Sequence, residues 1–246
     1  MDGLDLLATV ACAHLDNELG KDKVDGRPTF NQCIVKYDRE VRGTTSNIRK
    51  WQRGDDKGAV GHEAERLLGI PKSSDCNDCS PGAGEEFGEV KTLEVLKVTP
   101  RTRKGKEFGL GVGDYVPKEN VAITMVDFAE LIATPFKDSR MRKKIHSLLF
   151  LPNFRPNNDS IVWLEPTIFT ASHPLYAQFY AQIEREYEAI RQFHHDYYKE
   201  NRNYFDNTKT ESLIEIRTKG QGRKAKRRHA FYFTPGFLIP VLHPSN

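Results

Sequence analysis

The run from Gly88 to Val98, GEVKTLEVLKV, reads as a strand that carries an acid and a base close together near its start. Side chains two residues apart on a strand point to the same face. Glu89 and Lys91 therefore share one face, and Val90 between them takes the other. Val95, Leu96 and Val98 continue the strand into a turn at Pro100 to Gly105. Upstream, a loop rich in Ser, Asp, Asn, Gly and Pro carries Asp75, Asp78, Glu85 and Glu86, so several carboxylates could converge on the strand's first residues. Carboxylate oxygens collect hard divalent cations such as Mg²⁺, and a fixed ammonium stabilises charge developing on a phosphate oxygen. A charged pair on a strand is common by itself, so the rest of the chain must decide what this one does.

The totals set the limits. With 246 residues the chain can form one large domain or two lobes sharing a cleft. Hydrophobic residues at 38% and charged residues at 29% fit a soluble folded protein and exclude a disordered composition. A net charge of +3 gives no global basicity, yet the cations are clustered. Residues 219–229, KGQGRKAKRRH, hold six Lys or Arg and no acid, and residues 137–146, KDSRMRKKIH, hold five with one Asp. Both are candidate phosphate-contacting surfaces as well as possible solvated charge runs. No apolar run approaches the ~20 residues of a membrane span, and the acidic, amphipathic start lacks the basic region of a signal peptide. A cytoplasmic, reducing setting is expected. Cysteines at 12, 33, 76 and 79 do not form a disulfide framework, and the lone CxxC at Cys76 and Cys79 has no second pair to complete a zinc site.

Periodicity places the remaining elements. Residues 3–19 are spaced as a helix ended by Gly20, and 21–56 are polar with turns at Asp25-Gly26 and Arg42-Gly43. Val60, Ala64, Leu67 and Leu68 form a helical stripe stopped by Gly69 and Pro71, with Glu65 beside it, able either to face a site or to stand in solvent. GLGVGD lacks the lysine and framing of a phosphate-binding loop and reads as a hairpin or bulge. VAITMVDFAELIATPF is expected to pass from strand into irregular structure, and 145–152 and 161–169 are expected as strands. His173 to Glu200 is the longest helix, its stripe running Tyr176, Phe179, Tyr180, Ile183, Tyr187, Ile190, Phe193, with His194 and His195 expected on a half-exposed surface. The tail reads as two strands, ESLIEIRTKG and HAFYFTPGFLIPVL, flanking a basic loop suited to a DNA groove.

Four of these pieces, in this order, resemble the MutH-like endonucleases, which include a mismatch-repair nicking enzyme and type II restriction enzymes. KGAVGHEAERLLG (57–69) is similar to that family's Lys-Gly-x-x-Gly-x-x-x-Glu helix, which puts its active-site glutamate on Glu65. GEVKTL (88–93) is similar to its GVELKT strand, giving a metal-binding Glu89 and a catalytic Lys91. SRMRKKIHSLLFLP (139–152) resembles a basic segment entering a strand, whose active-site lysine falls on Lys144. SLIEIRTKG followed by AFYFTPGF resembles the C-terminal recognition strands and carries DNA contacts to Arg217, Lys219 and Tyr232, with Arg223 and Lys224 in the basic loop between. One departure stands out: the family's metal-binding aspartate usually lies seven residues before the strand glutamate, where this chain has Gly82. Asp78 is the nearest substitute, with Asp75 and then Glu85 or Glu86 behind it.

The resemblance implies an α/β (mixed α+β) fold, restriction-endonuclease-like, with a central mixed sheet flanked by helices and two lobes around a DNA cleft. It implies a catalytic lobe over about residues 1–135 and a recognition lobe over about 136–246. It further implies an Mg²⁺-dependent endonuclease acting on double-stranded DNA, with Asp78, Glu89 and the Val90 carbonyl holding metal. A monomer or homodimer is expected, with a cognate DNA methyltransferase as partner if the protein is a restriction enzyme. The competing expectations are a mismatch-repair nickase, a binding-only relative and an RNA-binding module.

Overall fold

The computed structural model describes residues 27–47, 59–71, 78–79, 88–157, 159–200, 213–219 and 228–244, with backbone alone at 78–79 and 197–200. In chain order the helices are α1 (Phe30–Lys36), α2 (Ala59–Leu68), α3 (Arg103–Glu107), α4 (Phe128–Ala133), α5 (Arg140–Ile145), α6 (Tyr176–Glu200) and α7 (Pro235–Leu242). The strands are β1 (Thr45–Asn47), β2 (Asp78–Cys79), β3 (Gly88–Lys97), β4 (Tyr115–Pro117), β5 (Val121–Val126), β6 (Leu148–Asn157), β7 (Ser160–Trp163), β8 (Thr167–Phe169), β9 (Ile214–Lys219) and β10 (Arg228–Phe233). The expected N-terminal helix at 3–19, the Asp25-Gly26 turn, Asp75, Cys76, Glu85, Glu86, Arg223 and Lys224 lie outside the described residues.

Among the described residues, the larger sheet runs β1-β7-β6-β3-β2, with β4 also on β3 and β8 also on β6, and the smaller runs β5-β10-β9. β3 and β6 pair in parallel from Glu89 opposite Leu148 to Val95 opposite Phe154, and their other pairings are antiparallel. This is a mixed central sheet flanked by helices, the restriction-endonuclease-like architecture. The sheets draw strands from both sides of residue 136: β5 joins β9 and β10, while β6 joins β3.

Alternation along β3 and β6 divides the core. Leu93, Val95, Leu148 and Phe150 pack on one side with Ile183, Tyr187, Ile216, Phe233 and Phe237. Val90, Leu149 and Leu151 pack on the other with Phe30, Tyr37, Ala64, Leu68 and Trp163. A parallel pair covered on both faces reads as a nearly continuous apolar run, as in the LLFL segment at 148–151. Glu89 and Lys91 have the parity of Leu93 and Val95, so they lie where the first core layer gives way to charge.

Several expectations are corrected. The polar stretch after residue 21 contains α1, started by a capping box in which Thr29 and Gln32 satisfy each other's backbone N–H groups. The irregular structure expected after β5 is α4, capped by Asp127, whose side chain accepts from the N–H groups of Ala129 and Glu130. The single strand expected at 161–169 is two, β7 and β8. The last strand stops at Phe233, and Pro235 begins α7 at a position where its missing N–H costs nothing. His194 is only 4% exposed and packs at a tilt against Phe128 with ring centres 4.6 Å apart. It continues the stripe of Ile183, Tyr187 and Ile190, and Phe193 turns outward instead.

Gly88 opens β3 against the ring of Phe30. A Cβ placed there would lie 2.0 Å from Phe30 Cδ2, and the buried ring has no open space to move into. Gly88→Ala should therefore destabilise the fold by about 1–3 kcal/mol through overpacking. Thermal denaturation measures it; an unchanged melting temperature would contradict this packing.

Candidate active site

Glu89 is the centre of the charge network. It is 4% exposed, and its backbone N–H donates to Ser147 O at 2.9 Å, which ties the start of β3 to the turn before β6. Its carboxylate accepts from two ammoniums. Lys91 Nζ donates to Oε1, and Lys144 Nζ donates to Oε2 at 2.5 Å. Lys91 Nζ also donates to Ile123 O at 3.4 Å, reaching into the smaller sheet.

Lys144 is delivered by α5. Ser139 caps this helix by accepting from Arg142 N at 3.1 Å, and Met141 and Ile145, one turn apart, bury its inner side. Arg142, Lys143 and Lys144 occupy its last turn, where the helix dipole favours cations. The segment read as a basic run feeding a strand is thus a short helix that aims one lysine at β3.

Among the described residues, the strand neighbours of β3 leave a gap along its edge. β2 pairs Asp78 with Glu89 and Cys79 with Gly88, whereas β4 pairs with Val95 to Lys97. Between them Val90 to Glu94 line a cleft of about 440 Å³. Glu65 and Ala64 of α2, Glu119 and Asn120 before β5, Asn153 and Arg155 of β6, and Lys219 of β9 line the same cleft. Glu65 is only 7% exposed, so it is no solvated helix glutamate; His62 Nδ1 lies 3.2 Å from its Oε2.

The smaller sheet brings a second polar group to this cleft. Glu215, Arg217 and Lys219 alternate with the core residues Ile214 and Ile216 and so share the opposite face of β9. Glu215 is buried; Arg217 Nε forms an ion pair with its Oε1, and Asn120 Nδ2 donates to the same oxygen at 2.5 Å. Tyr232 stands opposite Glu215 in the ladder. Burial pushes the Tyr232 hydroxyl up, Arg217 pulls it the other way, and Glu119 adds to the rise. Burial lowers the Lys104 ammonium, and Arg217 lowers it further. Arg217, Tyr232, Lys104 and Glu119 are thus electrostatic neighbours.

The structure therefore brings Glu89, Lys91 and Lys144 into contact, sets the Asp78 backbone opposite Glu89, and opens Glu65, Val90, Lys91 and Lys219 onto one cleft. Arg217 and Tyr232 adjoin it through Glu215 and Asn120. Sequence reasoning missed Asn120, Glu215 and Asn153. The Ile-Glu-Ile-Arg alternation flags Glu215, but its burial depends on the partner strand. Asn153 is buried beneath the cleft with no hydrogen-bond partner for its Oδ1, an acceptor that costs about 1–3 kcal/mol unless a ligand or water completes it.

Residues 83–172 match the family described as MutH, DNA mismatch repair enzyme MutH. Over that segment the chain is similar to the MutH family. The matched segment spans β3 to β8 and contains Glu89, Val90, Lys91 and Lys144. Glu65, Asp78 and the residues of β9 and β10 lie outside it. No curated protein matches the chain. Among its described residues, no helix is long and apolar enough to cross a membrane.

Among the described residues, no three His, Cys, Asp or Glu side chains converge. Glu89 and Glu65 nevertheless offer buried carboxylate oxygens, with the His62 imidazole beside Glu65. Carboxylate oxygens suit a hard cation such as Mg²⁺, so these two acids fit one.

Proposed function

We propose that this protein is an Mg²⁺-dependent, site-specific endonuclease that hydrolyses phosphodiester bonds in both strands of duplex DNA, as a type II restriction enzyme does. The observation that carries this reading is one buried carboxylate, Glu89, gripped by two ammoniums at the rim of a cleft that also holds Glu65 and Lys219.

Glu89, Asp78 and the Val90 carbonyl are the proposed metal ligands, with Glu65 as a further acid on the same cleft. When bound, Mg²⁺ would supply positive charge to the phosphate and lower the pKa of a water molecule. Lys91, held between Glu89 and Ile123 O, is proposed to orient that water for attack on phosphorus. Lys144 is proposed to contact a non-bridging oxygen of the scissile phosphate, where charge develops. Lys219, Arg217 and Tyr232, with Arg223 and Lys224 between the strands, are proposed to bind and read the duplex. The larger sheet then carries the chemistry and the smaller one recognition, and the cytoplasm is the proposed setting.

The family's description as a mismatch repair enzyme favours a second reading, a nickase that cuts one strand. Incubation with supercoiled unmethylated plasmid and Mg²⁺ separates the two. Linear product with uniform ends is expected; open circles alone would favour the nickase. No product with Mg²⁺, and none with Mn²⁺, would overturn both.

A further inference from the structure

Glu215 is a buried carboxylate on the polar side of a strand whose neighbouring positions, Arg217 and Lys219, are exposed. A charge buried in this way is expensive unless it is paired and hydrogen-bonded. Both conditions hold: Asn120, on the segment leading into β5, donates to Oε1, and Arg217, two residues along β9, forms an ion pair with the same oxygen. The Arg217 side chain remains 46% exposed. An arginine engaged through Nε keeps the edge formed by its two Nη groups for another partner. That edge matches the N7 and O6 acceptors of guanine, the commonest specific contact in the major groove. A guanidinium fixed in advance also has less side-chain freedom to lose on binding.

We propose that Glu215, held by Asn120, is a positioning residue that presets Arg217 to read a guanine in bound duplex DNA. The inference rests on the proposed reading of Arg217 as a DNA contact, and it adds the device that aims the contact and the base that it selects. Glu215 touches no DNA in this scheme and acts through Arg217. Lys91 and Lys144 lie on the other sheet's network, so recognition and chemistry are built from separate charge clusters on one cleft.

The test is selection of binding sites from a randomised duplex library in Ca²⁺ in place of Mg²⁺, using wild type, Arg217→Ala, Glu215→Gln and Asn120→Ala. Wild type should enrich a site containing a G·C pair whose preference Arg217→Ala loses. Glu215→Gln should lose preference at that same pair by about tenfold, a change that a purely structural role would spread over every position. Should Glu215→Gln fail to fold by circular dichroism, Asn120→Ala, which removes the other hold on the carboxylate, should weaken the same pair. Full preference in a folded Glu215→Gln, at a pair that Arg217→Ala loses, would overturn the inference while leaving Arg217 as a reader. An unchanged selected site in Arg217→Ala would instead sink the reading on which the inference rests, and the inference with it.

Discussion

Lys91→Ala should lose about 10³-fold in the single-turnover rate of DNA cleavage while keeping most of its affinity for duplex DNA. The expected size follows from the worth of one positioned charge or proton-handling group, about 10²–10⁴-fold. Lys91 bridges Glu89 of its own strand and the Ile123 carbonyl of the smaller sheet, so its ammonium is fixed before substrate arrives. Affinity should change little, because phosphate contacts spread over many Lys and Arg carry most of it. Lys91→Arg should not rescue, since a planar fork cannot repeat a point charge at this spot. Cleavage by Lys91→Ala within tenfold of wild type would remove Lys91 from the chemistry.

Glu89→Gln should abolish detectable cleavage and also destabilise the folded state. The carboxylate is the shared acceptor of Lys91 and Lys144, and neutralising it removes the charge that both ammoniums share. Breaking a fully buried pair by removing one partner costs about 3–5 kcal/mol. Here the lysine side chains are 16% and 25% exposed, so water takes up part of the loss and about 1–3 kcal/mol is expected. Chemical denaturation without metal measures the stability, and thermal shifts on adding Mg²⁺ measure the ligand role. A variant as stable as wild type would mean that the two lysines find other partners at no cost.

Much of the active site was legible in the chain because its signals are local. The Glu-Val-Lys pair needs only the two-residue repeat of a strand, whereas the place of Glu65 beside the stripe of α2 left its burial open. What escaped the sequence depends on distant partners or on very short elements. Asn120 and Glu215 meet across 95 residues, so neither sequence neighbourhood announces the other. The six-residue helices α4 and α5 are too short for periodicity to register; each is fixed by its cap and by packing. His194 was misjudged because Phe193 is the more apolar of two adjacent residues, although the helical spacing from Ile190 selects the histidine. At the C-terminal end, FLIPVL looks like a strand by composition, and only the turn at Thr234-Pro235 redirects it into α7.

Lys144 and Glu89 are separated by 55 residues and meet because β3 and β6 run side by side in the same direction, a pairing that requires a long crossover and forms slowly. A chain emerging from the ribosome, or one locally opened at this ladder, lacks the assembled charge trio. On the proposed reading, such a protein would cut no DNA until its fold is complete.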